Sequence, residues 1–124
     1  MLVEEIKSKV IEMLAYIYKS INWWKISTSK NPYDVFNHRV RSASRRRTLE
    51  AVVSKLCNYF GLQKVPPRII ELIDELKPDE PTVIELIYNE HIYISMKAIL
   101  LAKAMKEEEK KEKEKKDGNT LFNV

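Results

Sequence analysis

The sequence predicts an all-α protein, a compact bundle of four to five helices with a charged C-terminal extension. Only two of its 124 residues are glycine, whereas Ile, Leu, Lys and Glu are plentiful. This composition disfavours the tight turns of β architectures and favours helices. Apolar residues also recur at spacings of three and four through most of the chain, as they do on one face of a helix. The length suits one domain, residues 1–106, followed by the extension 107–124.

Each helix is predicted by an apolar stripe and by the residues that end it. Residues 2–25 carry a continuous stripe from Val3 to Trp24. Pro32, Gly61, the Pro66–Pro67 pair and Pro81 stand at positions typical of helix starts and stops. The pattern predicts further helices near residues 32–43, 48–60, 68–76 and 81–106.

The extension contains ten successive Glu and Lys residues at 107–116. Oppositely charged residues four apart favour a solvated continuation of the last helix. A run of charges without apolar residues is equally typical of disorder, and both alternatives stay open. Residues 117–124 are expected to form a flexible tail.

The most distinctive stretch is an arginine cluster, defined here as His38 and the five arginines that follow it within nine residues. These arginines are Arg39, Arg41, Arg45, Arg46 and Arg47. Residues 33–68 carry eight Lys and Arg against two acids, whereas residues 69–106 carry four Lys against seven acids. Guanidinium groups bind phosphate through paired hydrogen bonds, so the cluster predicts contacts with a nucleic-acid backbone.

Two interpretations of the arginine cluster remain open from the sequence. The first is the phosphate-binding surface just described. The second is an internal network of ion pairs with the acids of the following segment, Glu71, Asp74, Glu75, Asp79 and Glu80. The apolar stripe also changes side between Ser44 and Thr48, which places the arginines at a joint between two helices and suits phosphate better than a base edge.

Two further sets of residues are candidates for binding. Trp23 and Tyr16, seven residues apart, share a flank of the first helix, where they could stack on a base or simply cover the edge of the core. Leu86, Tyr93 and Leu100, also spaced by seven, form a second apolar stripe on the last helix. A helix that is apolar on two sides is central in a bundle or contacts a neighbouring subunit.

No pattern predicts catalysis, so the chain is not expected to be an enzyme. The Cys and His residues are not at metal-site spacing, and two glycines cannot form a phosphate-cradling loop, so no metal or other cofactor is predicted. His91 is expected in the core, and Cys57 is expected to be a buried thiol in a reducing cytoplasm. With no apolar run long enough for a bilayer, the sequence predicts a soluble cytoplasmic protein without a membrane partner.

Two stretches, HRVRSASRRRTLEAVVSKL at 38–56 and HIYISMKAILLAKAMK at 91–106, carry a resemblance to a known family. In size, helicity and basic character the chain resembles the small helical subunits of archaeal type I-A CRISPR surveillance complexes. The resemblance covers about two thirds of the chain. It implies non-catalytic binding along a guide RNA or a displaced DNA strand, with the arginines on the backbone and subunits packed side by side. Separately, the Lys, Glu and Ile content suggests a thermophilic source.

The sequence therefore predicts a non-catalytic nucleic-acid-binding subunit of a ribonucleoprotein assembly. Its expected partners are RNA or single-stranded DNA, together with other protein subunits or a second copy of the chain. The alternative is a protein–protein interaction module, such as a small archaeal or viral accessory protein. A DNA-binding regulator is less favoured, because a helix that begins at Thr48 lacks the polar side chains that read base edges.

Overall fold

The structure, a computed structural model, describes residues 2–20 and 48–122, with side chains as far as residue 114. These parts of the chain contain helices and no strand, which confirms the all-α bundle. A short 3-10 turn, Lys77–Asp79, joins the third and fourth helices. The α-helices are α1 (Val3–Lys19), α2 (Leu49–Tyr59), α3 (Pro67–Leu76), α4 (Glu80–Asn89) and α5 (His91–Phe122).

Helix α1 follows the predicted stripe but is shorter than expected. It ends at Lys19, and Ser20 forms the C-cap, where its amide donates to the carbonyls of Ile17 and Tyr18. The sequence predicted that the helix continues to residue 25. This is wrong for Ser20, which lies outside the helix, and residues 21–25 lie outside the described residues. The buried face of α1 consists of Ile6, Val10, Met13, Leu14, Ala15, Ile17 and Tyr18.

Helix α2 matches its prediction at both ends. The Thr48 hydroxyl accepts a hydrogen bond from the Ala51 amide at 3.3 Å, which satisfies an amide that the first turn leaves unpaired. Gly61 follows the helix with a φ of 74°, a conformation that costs glycine little. The Leu62 amide can then donate to the Cys57 carbonyl at 2.9 Å, which closes the helix end.

The predicted helix over residues 81–106 is wrong, because the structure contains two helices that meet at Glu90. This residue has φ −119° and ψ 28°, outside the helical region. No glycine or proline marks the break, so nothing in the local sequence predicts it. Instead, Lys7 of α1 forms an ion pair with Glu90, and the His91 side chain reaches back to the Tyr88 carbonyl.

Histidine 91 is partly buried at this break rather than enclosed in the core as predicted. Its Nδ1 lies 3.1 Å from the Tyr88 carbonyl oxygen. A carbonyl only accepts, so Nδ1 carries the proton and donates. The imidazole thus satisfies one of the carbonyls that the end of α4 leaves without an amide partner.

Helix α5 extends through the Glu and Lys stretch. Its backbone is helical to Phe122, so residues 107–116 adopt the helical alternative, and the expected tail is helical as far as that residue. Its inner face follows the prediction, since Ile94, Ala98 and Ala102 are fully buried.

Cys57 of α2 is also buried, as predicted.

Helix α1 lies at the centre of the described helices, in contact with α3, α4 and most extensively α5. Its early residue Lys7 reaches Glu90, and its last residue Lys19 pairs with Glu109, so α1 and α5 run in the same direction. Helices α1 and α3 are antiparallel, because Glu12 pairs with Arg68 near the start of α3 and the earlier residue Lys9 pairs with Glu75 near its end.

A buried hydrogen bond joins α1 and α5. The Tyr18 hydroxyl lies 2.8 Å from the Ser95 hydroxyl, and neither residue is exposed to solvent. A hydroxyl in an apolar core costs free energy unless it is hydrogen-bonded. This pair therefore favours one register of the two helices over others.

We expect Tyr18→Phe to lower the free energy of unfolding by about 1–2 kcal/mol, because the substitution deprives Ser95 of its partner. Urea denaturation measures the loss. The double variant Tyr18→Phe/Ser95→Ala should cost less than the sum of the two single substitutions, because both partners are then removed. Tyr88→Phe, at a half-exposed tyrosine, is the control and should change stability little. Additive single costs would contradict a direct interaction.

Candidate interaction surface

The arginine cluster lies outside the described residues, as does Trp23, so their predicted roles stay predictions. The described fold shows where the cluster joins it. Arg47 directly precedes Thr48, the N-cap of α2. Three residues of α2, Val52, Val53 and Leu56, are buried in the core. The basic segment is therefore attached to a helix that is firmly packed.

Arg68 on α3 is a cation that the bundle uses internally. Its Nε donates to Glu12 at 2.9 Å, and its Nη1 donates to Glu71 at 3.0 Å and lies 3.8 Å from Glu75. The hydrogen bonds to Glu12 and Glu71 raise the pKa of the guanidinium. Arg68 thus holds α3 against α1 and is not an available phosphate ligand.

The described lysines that form ion pairs also connect helices. Lys9 pairs with Glu75, Lys19 with Glu109, and Lys7 with Glu90 at 3.0 Å. Lys77 pairs with Glu50 at 2.8 Å. That hydrogen bond raises the pKa of Lys77, and the negative charges of Asp74 and Glu80 add to the effect.

These contacts bear on the acids proposed as partners of the arginine cluster. Glu71 and Glu75 are bound to Arg68 and Lys9, while Asp74 and Glu80 act on Lys77. These four acids therefore already interact with cations of the bundle.

The described residues and residues 21–47 carry net charges of opposite sign. Residues 2–20 and 48–122 carry 17 acids and 15 Lys and Arg, a surplus of two negative charges. Residues 21–47 carry seven Lys and Arg and a single acid, Asp34. Once the 15 described cations are balanced, two acids remain, which is fewer than the six positive charges in surplus on residues 21–47.

The outer face of α5 is an exposed apolar surface, here called the outer strip. It consists of Ile92, Tyr93, Met96 and Leu100, which are between 47% and 61% exposed, with Tyr88 of α4 at its start, 49% exposed. Their spacing places the α5 members opposite Ile94, Ala98 and Ala102, which face the core. Large apolar side chains grouped in this way typically mark a contact site.

The predicted second stripe is correct for two of its three residues. Tyr93 and Leu100 belong to the outer strip, but Leu86 is partly buried and packs against the core. The break at Glu90 turns α4, so a spacing of seven no longer keeps Leu86 on the face of Tyr93. Ile92 and Met96 were missed by sequence reasoning, although Ile92, Met96 and Leu100 follow one another at intervals of four, a spacing that could have found them.

Two lysines lie close to Tyr93 of the outer strip. Lys7 Nζ lies 5.2 Å and Lys97 Nζ 5.6 Å from the centre of its ring, within the range of a cation–π interaction. A groove of about 350 Å³ continues from Tyr93 between α1 and α5. Ile11, Leu101 and Met105 form its apolar part, while Glu4, Lys7 and Glu12 contribute charges of both signs.

Tyr16, predicted as a stacking residue, lies partly buried against the core. Lys19 Nζ is 5.2 Å from the centre of its ring. Tyr16 therefore fits the alternative prediction, in which it covers the edge of the core, and Lys19 lies close to its ring.

The described helices hold no group of three or more His, Cys, Asp or Glu side chains placed to bind a metal ion. Burial raises the pKa of the Cys57 thiol, which lowers the reactivity of that sulfur. Within the part of the chain that the structure describes, no helix is both long and apolar enough to cross a membrane.

No protein-family model, no curated protein and no solved structure matches this chain. The resemblance to type I-A CRISPR subunits is untouched by these comparisons and stays a prediction. The function is therefore argued from the residues of the chain itself.

The Lys9–Glu75 pair predicts an acid-dependent part of the stability. The hydrogen bond from Lys9 lowers the pKa of the Glu75 carboxyl below its ordinary value of 4.5. A carboxyl with a lowered pKa stabilises the fold above that value, and the contribution is lost as the pH falls below it.

We expect Glu75→Gln to reduce stability at pH 7 and to make the decrease between pH 6 and pH 3 smaller than in the unsubstituted protein. Urea midpoints across this pH range measure both effects. Glu108→Gln is the matched control, because Glu108 is exposed and has no ion pair among the described residues. Equal pH profiles for Glu75→Gln and the control would contradict the role assigned to Glu75.

Proposed function

We propose that the protein is a non-catalytic nucleic-acid-binding subunit of a ribonucleoprotein assembly. The observation that carries the proposal is the division of charge. Five cations of the described helices, Lys7, Lys9, Lys19, Arg68 and Lys77, form ion pairs between helices, and the described residues have two acids in surplus, whereas residues 21–47 have six positive charges in surplus. A polyanion supplies the compensation that the bundle lacks.

The arrangement of the arginines supports backbone contacts rather than the reading of bases. Arg39, Arg41, Arg45, Arg46 and Arg47, with His38 beside them, provide many donors within ten residues. The first turn of α2, which follows them, has the buried Leu49 and Val52 and offers no set of base-reading side chains. Binding therefore depends on charge and shape, with RNA or single-stranded DNA as the ligand.

The resemblance to type I-A subunits gives the proposal its finer form. The assembly is then an antiviral CRISPR effector complex, in which the subunit lies along a guide RNA or a displaced DNA strand and functions in the cytoplasm.

We expect Arg45→Ala/Arg46→Ala/Arg47→Ala to weaken binding to single-stranded RNA and DNA at least tenfold at low salt. Each phosphate contact to a single strand contributes about 0.7 to the slope of log affinity against log salt concentration. The slope should therefore fall by roughly 2 when three contacts are lost. Fluorescence anisotropy with labelled oligonucleotides across a salt series measures both quantities.

The control for this experiment is Lys110→Ala/Lys111→Ala/Lys113→Ala. It removes the same number of positive charges from an exposed part of α5 and leaves the same net charge. A general effect of net charge would weaken both triple variants equally. That result, or unchanged binding by the arginine variant, would show that the cluster is not the binding surface.

The second candidate function is a protein–protein interaction module. The outer strip favours it, because half-exposed Ile, Tyr, Met and Leu side chains are costly to leave in water. The two functions are compatible in one subunit, since the strip and the arginine cluster belong to different parts of the chain.

A further inference from the structure

We propose that the outer strip pairs with the outer strip of a second copy of this chain, with the two α5 helices antiparallel across a twofold axis. The inference does not rest on nucleic-acid binding. It follows from three properties of the described surface: its apolar area, the charges at its two ends, and the small residues on the opposite face of α5.

The area of the strip suits a dimer that dissociates on dilution. Five half-exposed large side chains present on the order of 500 Å² of apolar surface. A standard interface buries about 800 Å² on each partner, and weak, transient interfaces bury less than about 600 Å² on each, so the area of the strip suits a weak dimer. Obligate dimers bury considerably more.

The charges at the ends of the strip identify a second copy as the partner. Glu85 precedes the strip on α4, and Lys103 follows it on α5; both are exposed, and neither has an ion-pair partner among the described residues. Glu85 and Lys103 lie three residues outside Tyr88 and Leu100, the first and last members of the strip. The first charged residue beyond the strip is therefore acidic at the Tyr88 end and basic at the Leu100 end, where Glu107 follows one helical turn after Lys103.

Such a surface is complementary to itself only when two copies run in opposite directions. The Lys103 end of each copy then meets the Glu85 end of the other, and the apolar middles coincide. A twofold axis makes both contacts at once, as in the twofold dimers that are the commonest soluble homo-oligomers. Parallel helices would instead place Lys103 against Lys103 and Glu107 against Glu107, which repel.

The inner face of α5 explains why the outer face is available. Ser95, Ala98 and Ala102 are completely buried there, and the Ser95 hydroxyl is bonded to Tyr18 of α1. With its small residues committed to α1, the helix cannot rotate to bury Ile92, Met96 and Leu100 without breaking that packing.

The first experiment measures the oligomeric state of the full chain without nucleic acid, by sedimentation velocity from about 1 μM to about 500 μM, a range that brackets a weak dimer. We expect the mean mass to rise towards twice that of the monomer with concentration. Ile92→Asp should abolish the rise, because it places a charge in the apolar middle. Ile70→Asp is the matched control, since Ile70 is 50% exposed on α3 and Ile92 is 55% exposed.

A chain that stays monomeric at the highest concentration overturns the proposal. A dimer that Ile92→Asp leaves intact also overturns it, because the contact would then use another surface. Oligonucleotide binding by the same samples is measured separately, so failure of the dimer and failure of the nucleic-acid proposal give different results.

A charge exchange tests the antiparallel arrangement. We expect Lys103→Glu to weaken the dimer roughly tenfold, because two attractive contacts become repulsive. The double variant Glu85→Lys/Lys103→Glu restores opposite charges at both ends and should return the affinity to within about threefold. Sedimentation at low salt maximises the difference. An unaffected Lys103→Glu dimer, or a double variant no tighter than the single one, overturns the antiparallel pairing.

Discussion

The contact between α1 and α5 is the constraint on which the rest of the bundle depends. These helices are separated by most of the sequence, yet they run in the same direction and share the largest helix–helix interface in the described chain. Ser95, Ala98 and Ala102 provide a face of small side chains that lets α1 approach closely. Within that face the Tyr18–Ser95 hydrogen bond selects the register, because a slipped pairing would leave one or both hydroxyls buried without this partner.

That contact also determines what α5 presents to solvent. A helix whose small residues are all turned inward carries its larger apolar residues elsewhere, and here Ile92, Met96 and Leu100 lie outside. The break at Glu90 lies beside the same contact. Lys7 of α1 pairs with the Glu90 carboxylate, and the His91 imidazole donates to the Tyr88 carbonyl at the end of α4. The packing of α1 against α5 thus accounts for the outer strip and brings Lys7 to the break.

Local signals predicted the parts of this fold that depend on local physics. Periodicity found α1, α2 and α3, while Thr48, Gly61 and Pro67 marked helix ends where backbone chemistry allows few alternatives. The break at Glu90 was missed because no glycine or proline marks it, and the ion-pair partner of Glu90, Lys7, is 83 residues away. The same error misplaced Leu86. Tyr93 and Leu100 were found because both lie on one uninterrupted helix. The arginine cluster is a pattern of composition, which indicates a ligand class without specifying a geometry.

The distribution of charge also affects where a bound nucleic acid would lie on the protein. The described helices are slightly acidic overall and hold five of their cations in ion pairs between helices, so they attract a polyanion weakly. If nucleic acid binds at the arginine cluster, the acidic surplus of the bundle disfavours the spread of the strand over the described helices. The outer strip on α5 then stays open to protein. A basic segment and an apolar helix face would in this way let one small domain bind two kinds of partner without competition between them.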